Sequence, residues 1–216
     1  MLFDTGLAPE AAHDPVATYG EIGASVSFEP RQRVDEQVRA AGFAASEITH
    51  VVVSHAHFDH TGGLRLFPDA EVLLGEGDRD AVFGSDEQGI ARAEDLAPTR
   101  SSTWTFLPGD HDLFGDGSLV VLAMPGHTPG NTSFLVRLPQ RALVLSGDTA
   151  HLRPALETKA PMSADTDPPT AVESLRRLDA VSARNGAAVW VTHDPADWNR
   201  FGAPGEITEV GEPDGT

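Results

Sequence analysis

Apolar and polar positions along this chain follow two rhythms. Short unbroken apolar runs bounded by Gly, Pro or acidic residues read as buried strands at 51–53, 70–74, 104–107, 119–123 and 187–191. Two more strands, 132–138 and 142–146, are joined by a turn at Pro139-Gln140, and Leu2-Phe3 reads as the end of a strand that leaves through Asp4-Thr5-Gly6. Helical spacing governs two other segments. Residues 30–42 carry Val34, Val38 and Ala41 and stop at Gly42, while 168–184 carry Val172, Leu175, Leu178 and Val181. Residues 64–67 and 76–83 predict shorter helices. Residues 7–30, 84–102 and 150–167 lack a clear period and read as loops, and 109–112 as a turn. Both halves therefore run from strands into a helix, the plan of an α/β fold.

Ligand-type residues recur at the strand exits. The strand at 51–53 runs directly into Ser54-His55-Ala56-His57-Phe58-Asp59-His60. His55 and His57 share a side because extended side chains alternate, and Asp59 and His60 lie one turn further on. Crowded imidazoles facing an interior are costly unless something binds them. Imidazole and carboxylate suit a borderline cation such as zinc, with iron, manganese or cobalt as alternatives. The later exits carry Pro125-Gly126-His127, Gly147-Asp148 and Thr192-His193, so the sequence predicts that these groups converge at one end of the sheets. Asp4 is a turn residue or a group that orients a metal ligand. His13, His50 and His111 read as structural or solvated histidines.

Composition narrows the partners. With 216 residues and 40% hydrophobic content, one domain over 1–201 is expected, followed by an acidic, poorly ordered tail over 202–216. The formal net charge of −18 speaks against a nucleic-acid partner. No apolar run approaches a membrane span, and no basic and apolar leader opens the chain, so the expectation is a cytoplasmic location without membrane contact. The absence of cysteine excludes disulfides and thiolate ligands. Scarce Lys among many Asp, Glu, Ala and Arg hints at a GC-rich or salt-adapted bacterium.

His55-Ala-His57-Phe-Asp59-His60 resembles the His-x-His-x-Asp-His signature of the metallo-β-lactamase superfamily. Pro-Gly-His127, Gly-Asp148, Thr-His193-Asp and the Asp4-Thr5-Gly6 turn match that pattern in order. The resemblance implies an αββα sandwich with a dinuclear metal site between its sheets. One cation would be held by His55, His57 and His127, the other by Asp59, His60 and His193, with Asp148 bridging them. Against that family an N-terminal edge strand is expected to be missing. Several stretches, among them Ser-His-Ala-His-Phe-Asp-His-Thr-Gly-Gly and Pro-Gly-His-Thr-Pro-Gly, are similar to the N-acyl-homoserine lactonases. Two positions depart from them. His151 stands where those lactonases often have tyrosine, and Asn131 where they often have histidine.

The resemblance implies a hydrolase that opens a small ester or lactone with a hydroxide held between two divalent cations ~3.5–4 Å apart. Asp59 would shuttle a proton to the leaving oxygen, and His151 would donate a hydrogen bond to the developing oxyanion. A quorum-quenching lactonase, commonly a homodimer, is the expected activity. The alternatives are a thioesterase of the glyoxalase II type, an arylesterase, a phosphoesterase, an iron-dependent oxidoreductase and a non-catalytic metal-binding protein. His57 argues against a flavodiiron protein, and the full set Asp59, His60 and His193 against a one-iron persulfide dioxygenase.

Overall fold

The computed structural model describes residues 1–86 and 89–201. Its first sheet runs in the order β1 (Leu2–Phe3), β2 (His50–Val53), β3 (Glu71–Gly75) and β4 (Trp104–Leu107), all parallel. Its second sheet runs β5 (His111–Asp112), β6 (Leu119–Ala123), β7 (Thr132–Leu138), β8 (Arg141–Leu145) and β9 (Ala187–Trp190), antiparallel except for the β8–β9 pair. The two halves thus differ in strand direction, although both run from strands to helices. Eight α-helices lie among the described residues. They are α1 (Pro15–Tyr19), α2 (Val34–Ala40), α3 (Phe58–Thr61), α4 (Arg79–Phe83), α5 (Ala93–Leu96), α6 (Arg153–Thr158), α7 (Pro168–Asn185) and α8 (Pro195–Phe201).

Side-chain alternation sorts the core into three layers. In β2, Val51 and Val53 turn outward to Val38 of α2, Val82 of α4 and Leu96 of α5. Val52 turns inward and meets Leu73, Leu107, Val121 and Phe134 between the sheets. On the far side, Leu175, Leu178 and Val181 of α7 cover Leu122, Leu135, Val144 and Val189. Helix, sheet, sheet, helix is the expected αββα sandwich. β6 and β8 are each antiparallel to β7, and β9 is parallel to β8, so β6, β8 and β9 all exit the same way. The end of β2 is tied to the start of β7 by the Thr132 amide, which donates to the Ser54 carbonyl at 2.8 Å. The exits of β2, β6, β8 and β9 therefore gather at one end of the seam.

The segments read as irregular hold short helices. Residues 7–30 contain α1 and two 3-10 turns, 84–102 contain α5, and 150–167 contain α6. Four to six residues are too few to show an apolar period. The turn read at 109–112 includes β5, which pairs with β6. His50 opens β2 instead of preceding it. The acidic tail expected at 202–216 lies outside the described residues. Among the described residues, no helix is long and apolar enough to cross a membrane.

Candidate metal centre

The four strand exits that carry the ligand-type residues singled out in the sequence deliver them to the same place. His55 follows β2 and is fully buried; His57 caps α3, whose single turn carries Asp59 and His60. His127 follows β6, Asp148 sits in a tight turn after β8, and His193 follows β9. The donor atoms form two groups. His57 Nδ1 is 2.8 Å from His55 Nε2 and 3.1 Å from His127 Nε2. Asp59 Oδ2 is 3.6 Å from His60 Nε2 and 3.7 Å from His193 Nε2. Asp148 stands between the groups. Its Oδ2 is 3.5 Å from His127 Nε2, while its Oδ1 is 3.4 Å from His60 Nε2 and 3.1 Å from His193 Nε2.

This donor set fits divalent cations. His60 Nε2, His193 Nε2 and Asp148 Oδ1 are buried, face one another and have no hydrogen-bond partner. Three orphaned polar atoms in one spot are costly unless they share a ligand. His55, His57 and His127 form a second set whose ligand atoms lie within 4.8 Å of one another. Nitrogen and carboxylate donors without sulfur match zinc and its borderline neighbours.

Protonation differs between the groups. Burial pushes His57 down to about 4 and His55 well below its ordinary value, so both rings are neutral at pH 7, the form that ligates. For His60, burial also disfavours charge, but Asp4 and Asp148 outweigh it and hold the ring well above its ordinary value. His193 is raised because Asp148 outweighs burial in the same way. Burial opposes charge on Asp148 as well, yet His60, His151 and His193 hold its carboxyl well below the usual carboxylate range.

Outer partners fix the rings. Asp4, at the exit of β1, reaches His60 Nδ1 at 2.9 Å with Oδ2 and accepts the Ser54 amide at 2.6 Å with Oδ1. Its orienting reading is the one the geometry realises, since carboxylate-to-imidazole contacts set the ligating tautomer. Asp165 does the same for His127 Nδ1 at 3.0 Å, and Ser54 Oγ lies 3.0 Å from His55 Nδ1. Asp165 and Ser54 were not singled out in the sequence; one stands in a segment read as loop, the other merely opens the His cluster. His151 reaches the site, with Nδ1 3.2 Å from Asp148 Oδ2 and its ring stacked on His193 at 4.2 Å. Asn131 donates to the Met124 carbonyl and to Thr149, bracing the His127 and Asp148 turns from below. His13 and His111 are exposed, and His50 lies beside Thr49 and Glu71 at the other end of β2.

Of the three described clefts that open onto this cluster, two are the larger. One, about 640 Å³, has His57, Asp59, His127, Asp148 and His151 among its lining, with apolar walls that include Ile22, Ile90, Leu152 and Met162. The other, about 720 Å³, is bordered by Val26, Phe28, His193 and Trp198. Phe58 and Asp59 line both and form the ridge between them.

A two-sheet sandwich with this donor constellation defines a class of metal-dependent hydrolases. The metallo-beta-lactamase superfamily model matches residues 1–193, and the chain belongs to that superfamily. It is 35% identical over 211 residues to the N-acyl homoserine lactonase AttM of Rhizobium johnstonii, covering 93% of this chain and 79% of that protein. It is 25% identical over 198 residues to an N-acyl homoserine lactonase of Bacillus cereus, covering 90% and 76%. Among solved structures, an N-acyl homoserine lactone hydrolase with its product N-hexanoyl-L-homoserine at the catalytic metal center matches with a TM-score of 0.78, 22% identity and coverage of 90% and 77%. AidC, a dizinc quorum-quenching lactonase, matches with a TM-score of 0.65, 23% identity and coverage of 90% and 68%.

Proposed function

We propose that this chain hydrolyses the ring ester of N-acyl homoserine lactones at a dinuclear zinc site. The observation that carries the reading is Asp148, whose two oxygens face separate nitrogen groups in a buried pocket that leaves three donor atoms without partners. His55, His57 and His127 would hold one cation, Asp59, His60 and His193 the other, and Asp148 both. When bound, such a pair supplies a hydroxide nucleophile near neutral pH and polarises a carbonyl oxygen. The relatives named N-acyl homoserine lactonase support the choice of substrate.

The chain's own groups supply the rest. The apolar walls of the cleft over His57 and Asp148 receive the acyl chain and exclude water around the ester. Asp59, on the ridge between the clefts, carries a proton to the departing ring oxygen. His151 meets Asp148 through Nδ1, so the ring's other nitrogen is the one free to face substrate. Donation from that nitrogen to the developing oxyanion requires only that it carry a ring proton. A neutral lactone is compatible with a chain of net charge −18.

The test is acid release from short- and long-chain N-acyl homoserine lactones by zinc- or cobalt-loaded protein in weak buffer with a pH indicator. Metal-dependent ring opening that disappears in His57→Ala is the expected result. No turnover by protein shown to carry two metals would overturn the lactonase reading.

A further inference from the structure

Asp78 is 1% exposed and makes no hydrogen bond to any of the proposed ligands, yet it binds both loops that carry the first histidine group. It lies just past the exit of β3. Its Oδ2 accepts the Ala56 amide at 3.0 Å and the Thr128 hydroxyl at 2.9 Å, and its Oδ1 accepts the Gly130 amide at 2.7 Å. Ala56 separates His55 from His57, and Thr128 follows His127. The backbones around it are pressed together. A Cβ on Gly75 would stand 2.0 Å from the Gly130 carbonyl oxygen, and one on Gly77 would stand 2.3 Å from the Pro129 carbonyl carbon. Neither contact could be relieved by rotating a side chain. A buried carboxylate is an expensive filler, tolerated where hydrogen bonds satisfy it, and amide-to-carboxylate bonds are directional as well as strong. One carboxylate therefore fixes three chain segments to each other at the height of His55, His57 and His127.

We propose that Asp78 is a positioning residue that sets the spacing between the His55–His57 loop and the His127 loop, and so tunes the affinity of the first metal position. The inference rests on the ligand assignment given above. Asp78 makes no hydrogen bond to Asp59, His60, Asp148 or His193, while Asp4 holds the His60 ring from another strand exit. Loss of Asp78 therefore acts on one position and spares the other.

The experiment is a zinc and cobalt titration of metal-depleted wild type, Asp78→Asn and Thr128→Val, with folding checked by circular dichroism. Asparagine keeps the shape but turns a donor toward the Ala56 or Gly130 amide. Expected for Asp78→Asn is one equivalent bound as in wild type and the other weakened by ~10–100-fold, the usual cost of losing an outer partner. The visible spectrum of cobalt at the weakened position shifts, and kcat falls more than KM rises. Thr128→Val removes one of the three bonds and gives a smaller loss in the same direction, which keeps the test alive if Asp78→Asn does not fold. Wild type that binds two metals, with both variants matching it in affinity and cobalt spectrum, overturns the role of Asp78 alone. Wild type that takes up no metal overturns the ligand assignment and this inference with it.

Discussion

Asp148 concentrates the chemistry of the site in one carboxylate, because each of its oxygens faces a different nitrogen group. Asp148→Ala should therefore lower metal content and hydrolysis together, with kcat/KM falling by more than the ~100-fold typical of an outer partner. Metal analysis alongside the acid-release assay checks this, and full activity with intact metal content would contradict the bridging role. Asp95 gives a residue-scale test away from the site. Burial pushes its carboxyl up to about 6 against the pull of Arg92, and its Oδ2 has no partner. A raised carboxyl favours the protonated form in the fold, so the native state loses stability as pH rises from the unfolded value near 4 through 6. Asp95→Asn cannot titrate. Its melting temperature relative to wild type should accordingly improve between pH 5 and pH 7.5, and a difference that stays flat would refute the assignment. The His and Asp residues that the structure gathers into one cluster were legible in the sequence because rare residue types crowd there at fixed spacings. Asp78 and Asp165 were not, because an aspartate that accepts loop amides looks the same in sequence as a solvated one.

At the scale of elements, the longer strands were readable because interior positions leave apolar runs, and α7 because its 18 residues show several turns of one stripe. Leu178, a fully buried member of that stripe, is the natural probe of the outer layer. Leu178→Ala should destabilise the fold by about 2–5 kcal/mol in urea unfolding, the cost of a large core truncation. A loss under ~1 kcal/mol would mean that α7 does not hold the second sheet. The short helices α1, α6 and α8 escaped because each shows too little of any period. Two of them did leave a signal of another kind. Asp14-Pro15 and Asp194-Pro195 place an amide-accepting carboxylate beside a residue preset for the first helical turn, and Asp14 indeed accepts the Ala17 amide at 2.9 Å and Asp194 the Ala196 amide at 2.8 Å. Asp167-Pro168 opens α7 in the same way. In this chain, each Asp-Pro pair marks a helix start.

For the molecule as a whole, both proposed metal positions draw donors from both sheets. His55 and His57 come from the first sheet and His127 from the second; Asp59 and His60 come from the first, His193 and Asp148 from the second. Ligand binding to the native state alone stabilises it, by about 2.7 kcal/mol at a hundredfold excess over Kd. Saturating zinc should raise the melting temperature of metal-depleted protein by about 5–10 °C for each position filled, and a chelator should reverse the gain. An unchanged melting curve would mean that the cations contribute nothing to the fold. The inner seam they would span has Val52, Leu73, Leu107, Val121 and Phe134 as its buried apolar contacts. Two cations bound there would act as rivets through the two plates of the sandwich. In a chain without cysteine, that gives a cross-link indifferent to the redox state of its surroundings and answerable only to the supply of metal.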